Sequence, residues 1–173
     1  MLQEGTDFRR PQTEITKIQE LMYELRVGEI MTQPVVTVPP SASMKDAKEL
    51  MRSRRISGLP VVRTDGLCGI VSVEDVIRWL EQNQQQKDTV ERWMTSKVVT
   101  VHASEPAVRA INKFRTYHIG RLPVLDQQGR LVGIVTPGNV IDSVVRVLDT
   151  LYREGEPRQR NERSSLDDLV SER

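Results

Sequence analysis

Apolar residues come in short bursts separated by turn formers, and the bursts follow the same order twice along the chain. The first stretch, residues 12–25, places Ile15, Ile18, Met22 and Leu25 at i, i+3, i+7 and i+10, one apolar stripe on a helix. The spacing resembles a coiled coil but covers only two heptads, so it suits a helix packed on the domain and a dimer contact equally. Gly28 is expected to end this helix. A β-branched strand, Val35–Val38, then runs into Pro39-Pro40, and Ser41 or Ser43 can cap a helix from Met44 to about Arg54. That helix carries Met44, Ala47, Leu50 and Met51 on one side. Leu59–Val62, the turn Thr64-Asp65-Gly66 and Leu67–Val71 read as an apolar hairpin, after which Ser72 caps an amphipathic helix with Val76, Ile77 and Leu80. The predicted order is β-α-β-β-α.

The same order returns 63 residues later. Met31-Thr32 becomes Met94-Thr95, Val35–Val38 becomes Val98–Val101, and Ile56-Ser57-Gly58-Leu59-Pro60-Val61 becomes Ile119-Gly120-Arg121-Leu122-Pro123-Val124. Gly69-Ile70-Val71-Ser72 returns as Gly133-Ile134-Val135-Thr136, the offset having grown by one residue in a turn. In the second copy Ser104 is expected to start the helix, Asp126–Gly129 makes the turn, and Thr136 caps with Pro137 at the first helical position. The chain thus divides into an N-terminal extension (1–26), repeat one (27–81), a Gln-rich polar linker (82–89), repeat two (90–148) and a tail (149–173) whose charge and serine content from Arg153 onward predict a solvated, disordered segment. A repeat of about 60 residues buries too little surface to stand alone, so the copies must stack, and any site at their contact comes in two related versions.

Composition narrows the function classes. Lys and Arg number 25 against 24 Asp and Glu, so no net field draws the chain to nucleic acid or an anionic membrane. Apolar runs are strand length and span no bilayer. Glu4, Asp7, Arg9 and Arg10 stand where a signal peptide would need an apolar region, and the single Cys68 suits a reducing compartment, so a cytoplasmic location is expected. Cys68 reads as a small core residue rather than a nucleophile. His102 and His118 are the only histidines, neither at metal-ligand spacing, and no Ser/His/Asp or Cys/His set or glycine-rich phosphate loop is present. Neither an enzyme, nor a metal centre, nor a cofactor is expected.

The duplicated segments carry a resemblance. Met31-Thr32 with Val35–Val38, then Ile56–Val61, then Gly69–Ile77, each returning in the second copy, resemble the tandem cystathionine-β-synthase (CBS) domain pair, or Bateman module, over residues 27–148. The resemblance implies an α+β fold of two repeats packed as a pseudo-twofold pair, used as a regulatory sensor of AMP, ADP, ATP or S-adenosylmethionine held in clefts between the copies. It implies that cleft one joins Ser72 and Asp75 to His118, Ile119, Gly120, Arg121 and Pro123, with Val99 on the wall. Cleft two joins Thr136 and Asn139 to Ile56, Ser57 and Pro60, with Val36 on the wall.

Chemistry favours cleft one. A helix N-terminus at Ser72 suits a phosphate, Asp75 can accept ribose hydroxyls, and Arg121 offers a fork for phosphate. Ser72-x-x-Asp75 is also the pattern of a capping box, Arg121 also suits a solvated strand-entry residue, and His118 an exposed helix-end residue at the C-terminal dipole. In cleft two Asn139 brings no charge, Gly58 replaces Arg121, and Arg55 stands where His118 does. Trp79 and Trp93 read as packing residues or a subunit contact. The expected partner is an adenosine-containing small molecule; a homodimer is expected because Val140, Ile141, Val144, Val145 and Leu148 form a broad apolar stripe, and an effector protein or domain is the expected receiver of the signal. The alternative is a ligand-free dimerisation scaffold.

Overall fold

The computed structural model describes residues 20, 23–82 and 88–155. Most of the helix predicted over 12–25, the centre of the linker and the chain beyond 155 lie outside the described residues. The first copy runs α1 (Val27–Ile30), α2 (Met44–Arg54), β1 (Gly58–Arg63), β2 (Gly66–Ser72) and α3 (Val73–Glu81). The second runs α4 (Val90–Trp93), β3 (Val101–His102), α5 (Ala107–Tyr117), β4 (Leu122–Leu125), β5 (Leu131–Val135) and α6 (Pro137–Gly155). The fold is α+β, as expected.

Local chemistry sets these elements. Ser43 Oγ accepts the Asp46 N–H at 3.0 Å and starts α2, which buries Met44, Ala47 and Met51. β1 and β2 pair antiparallel with Leu59 opposite Val71 and a bulge between Val61 and Val62. β4 and β5 pair likewise, Leu122 opposite Val135, with the bulge between Val124 and Leu125, and β3 lies parallel beside β4. Leu59, Pro60 and Val61 are all fully buried, the mark of a strand covered on both faces.

Several expectations change. Val35–Val38 is no strand; it touches the sheet only through the parallel bridge of Val38 to Val61, and the second copy keeps two strand residues at the matching place. Pro34, Pro39 and Pro40 withhold ladder donors along that stretch. Ser104 does not start α5: Pro106 caps it, while Ser104 Oγ meets His102 Nδ1 at 2.8 Å. Gly28 ends no helix; it lies inside α1, where its N–H donates to Ala103 O at 2.9 Å. The helix α6 continues to Gly155, six residues past the expected start of the tail at 149. Trp79 is buried and donates to Asp88, as a packing residue would.

The copies exchange their first turns. Val27 and Ile30 of α1 belong to the core formed by Val101, Ala107, Leu122, Val124 and Val135 of the second copy. Val90 of α4 belongs to the core of the first copy, with Met44, Leu59, Val61 and Val71. Backbone bonds tie the exchange on both sides: Thr32 N–H to Ile134 O at 2.8 Å with the reverse bond at 3.1 Å, and Ile70 N–H to Thr95 O at 3.0 Å with the reverse at 2.9 Å. At each joint a methionine lies over a glycine. A Cβ on Gly133 would stand 2.7 Å from Met31 Cγ and 3.1 Å from Met31 Cβ; one on Gly69 would stand 3.0 Å from Met94 Cγ and 3.2 Å from its Cε. The repeated Met-Thr and Gly-Ile-Val segments are the two halves of one joint, used twice.

Gly133→Ala therefore costs about 1–3 kcal/mol, the scale of an overpacked core. Gly69→Ala costs less, because there the flexible end of Met94 can swing aside. Urea unfolding checks the order; equal stability of both variants and the parent shows that the methionines are not held at the joints.

Candidate functional site

Of the cavities where the copies meet, two hold the expected site residues. Cleft one, of about 470 Å³, lies between Ile70, Ser72, Glu74, Asp75 and Arg78 of the first copy and Thr95, Lys97 and Val98 of the second. Val99, His118, Ile119, Gly120 and Arg121 complete it, so the structure brings together every residue expected here except Pro123. Cleft two, of about 250 Å³, takes the expected Val36, Ile56, Ser57 and Thr136, together with Thr32, Pro34, Val35 and Arg55. Pro60 and Pro123 line neither cleft, because both side chains are fully buried in their strands. Asn139 also stays out of the lining of cleft two. Cleft one falls within the usual range for a small-molecule site, about 300–1,000 Å³, and cleft two lies below it.

The helix starts explain the carboxylate and the amide. Asp75 is 3% exposed, and its Oδ2 accepts the Ser72 N–H at 2.7 Å and the Ser72 hydroxyl at 2.9 Å. Arg78, one turn on, donates to Asp75 Oδ1. Asp75 thus caps the helix and faces the cleft at once. Asn139 Oδ1 accepts the Thr136 N–H at 2.9 Å and hydroxyl at 2.8 Å, and its Nδ2 donates across the joint to Thr32 Oγ1 at 3.1 Å. The amide therefore ties the start of α6 to the exchanged segment.

Arg55 and His118, at the same position of the two copies, end α2 and α5 in the left-handed conformation, with φ of 54° and 52°. Both are exposed, and each sits at the rim of its cleft. Arg121 lines both clefts: its guanidinium lies against Gly58 and donates to Ser57 Oγ. Burial pushes this guanidinium below its ordinary value, while Glu74 and Asp75 pull it back up; an arginine stays charged through such a shift. Cleft one carries Arg78, Lys97, Arg121 and His118 against Glu74 and Asp75, whereas the lining of cleft two has Arg55 and Arg121 and no carboxylate.

Sequence reasoning missed Glu74, Arg78, Thr95 and Lys97. Arg78 was findable, since it stands three residues from Asp75 on one helix face. Lys97 carried no such signal, because its position depends on the irregular segment after the joint. No group of three or more His, Cys, Asp or Glu that could hold a metal gathers among the described residues, and no described helix is long and apolar enough to cross a membrane.

The model of the CBS domain matches residues 27–82 and 90–146, and the chain belongs to the CBS domain family as a tandem pair. Among similar solved structures, CBSX2 of Arabidopsis thaliana in complex with AMP is 32% identical, with a TM-score of 0.63, covering 71% of this chain and 98% of that one. The CBS domain pair of protein MJ0100 in complex with 5′-methylthioadenosine and S-adenosyl-L-methionine is 30% identical, with a TM-score of 0.63, covering 73% and 98%. L-aspartate semialdehyde sulfurtransferase of Methanocaldococcus jannaschii is 35% identical over 115 residues, 66% of this chain and 22% of that protein. The chain spans 22 to 38% of the length of three such curated relatives, so the shared part is the CBS pair and not a whole enzyme.

Proposed function

We propose that the protein is a regulatory sensor that takes an adenosine-containing ligand in cleft one and passes its presence to its own dimer or to a partner. The observation that carries this reading is the composite wall of cleft one. The N-terminus of α3, with Ser72 and Asp75, faces the basic rim of the other copy, with Lys97 and Arg121 beside His118. Adenine has Ile70, Val99 and Ile119 to lie between. Ribose hydroxyls donate to Asp75, whose two oxygens keep lone pairs beyond those used by Ser72 and Arg78. Phosphate takes Arg121, Lys97 and the positive end of α3. The complexes of CBSX2 with AMP and of MJ0100 with S-adenosyl-L-methionine support this choice of ligand class. Because the ligand touches both copies, it can favour one arrangement of the pair over another, which is the requirement for signalling.

AMP, ADP or ATP raises the melting temperature, and GTP does so less, its exocyclic groups mismatching an adenine edge. Binding to the native state alone at 100 times Kd adds about 2.7 kcal/mol, a rise on the order of 5–10 °C for a chain of this size. S-adenosylmethionine has the adenosine without the phosphate, so Arg121→Ala weakens AMP more than S-adenosylmethionine. A panel in which no adenosine compound shifts melting at millimolar concentration rejects the sensor and leaves the scaffold reading.

Asp75→Ala and Asp75→Asn weaken AMP more than Asn139→Ala does, since Asn139 is committed to Thr32. Calorimetry giving equal losses at both positions shows that Asp75 does not hold the ribose.

The scaffold reading draws support from the helices that follow each hairpin. α3 leaves Val73, Ile77 and Leu80 exposed, and α6 leaves Ile141 61% and Val145 47% exposed. Val140 and Val144 are used by the chain's own core, so the stripe is narrower than the sequence implies. Ile77 and Ile141 stand at the same place in the two copies, which suits a self-complementary contact with a second copy. Light scattering gives a dimer mass at micromolar concentration, and Ile77→Glu with Ile141→Glu gives a monomer; a monomeric parent rejects the dimer.

A further inference from the structure

Residues 58 and 121 are the same position in the two copies, and in the folded chain they meet. A Cβ on Gly58 would stand 2.8 Å from Arg121 Cζ and 3.0 Å from its Cδ, so the guanidinium rests in the space that Gly58 leaves open. Arg121 Nη2 donates to Ser57 Oγ, whereas Gly120, the counterpart of Ser57, has no side chain with which to make the reciprocal contact. A single guanidinium therefore stands between the clefts and lines both, tethered to Ser57 on one side and drawn toward Glu74 and Asp75 on the other.

We infer that Arg121 is a shared anion ligand that serves one cleft at a time, so that phosphate-bearing ligands in the two clefts oppose each other's binding. The inference rests on the nucleotide reading above and adds to it a direction of coupling. A guanidinium grips a phosphate with a planar fork that must point at it. An anion in cleft one draws the fork off Ser57 and leaves cleft two with Arg55 as the cation of its lining. An anion in cleft two holds the fork where it rests and leaves cleft one to Arg78, Lys97 and His118. By linkage the effect is the same in both directions. Uncharged adenosine asks nothing of Arg121 and escapes the opposition.

The test is an NMR titration of the full chain with AMP and with adenosine, the Gly120 amide reporting cleft one and the Ile56 amide cleft two. Arg121→Ala weakens AMP at both amides by about tenfold, the scale of a lost charge-assisted bond, and leaves adenosine unchanged. Gly58→Ala fills the resting place of the fork, and Ser57→Ala removes its tether. Each tightens AMP at cleft one and weakens it at cleft two, by about threefold, within the net range of one exposed hydrogen bond. Ser57→Ala keeps the test sound where Gly58→Ala fails to fold. Shifts in the same direction at both clefts under these two variants, or an Arg121→Ala loss confined to one cleft, overturn the sharing and leave nucleotide binding intact. AMP and adenosine that move neither amide overturn the sensor reading and the sharing together.

Discussion

The structure depends on an exchange: neither copy closes its core without a turn lent by the other. Val27 and Ile30 fill the core under β4 and β5, and Val90 fills the core under β1 and β2. Each such side chain withdrawn from water contributes about 1.5–3 kcal/mol, a large share of what a unit of this size can muster. The two halves are consequently not separable domains joined by a linker. Pulling the copies apart would expose both cores at once. This is why the backbone bonds between Thr32 and Ile134 and between Ile70 and Thr95 hold the segments on either side of the clefts to a fixed register.

The same two-fold relation imposes a second constraint at its centre. Positions related by the axis approach one another there, and residues 58 and 121 approach so closely that both cannot carry a long side chain. With glycine on one side, arginine can occupy the middle. A duplicated chain is free to place different residues at the two equivalent positions, as two identical halves could not. The unequal clefts follow from that freedom: the guanidinium narrows cleft two, where it rests over Ser57, and enters cleft one as a wall. Asn139 and Asp75 diverge by the same logic. On one side the amide donates to Thr32, and the other keeps an acceptor that Arg78 and Ser72 only partly satisfy.

Most of the repeat was legible in the sequence because its signals are local. Ser43 before Met44, the apolar positions of α2 and the turn at Asp65-Gly66 each act over a few residues, and the structure follows them. The exchange was not legible. The turns Val27–Ile30 and Val90–Trp93 are too short for periodicity to speak, and where they dock is a matter of the other copy. Pro60 and Pro123 were misread for a related reason: a strand buried on both faces abandons the alternation that tells inside from outside. Ser72 and Asp75 line the cleft, and the capping reading of their spacing holds, since the bonds that order α3 also fix the carboxylate at the cleft.

The ends of α2 and α5 show how the fold keeps the clefts open. A left-handed residue at a helix end is usually glycine, and any other residue there costs about 1 kcal/mol or more. Arg55 and His118 take it nonetheless, at equivalent positions. In each case the next residue bonds back to the helix, Ile56 N–H to Met51 O at 3.0 Å and Ile119 N–H to Phe114 O at 3.3 Å. The reversal sends Ile56-Ser57 and Ile119-Gly120 along the wall of a cleft before the chain enters its strand. Glycine would make the same turn without strain but would leave the rim without a side chain. A conformation held against its own cost at the two places where the copies face each other has a physical use there: it sets a side chain, Arg55 or His118, at the mouth of each cleft while the main chain behind it forms the wall.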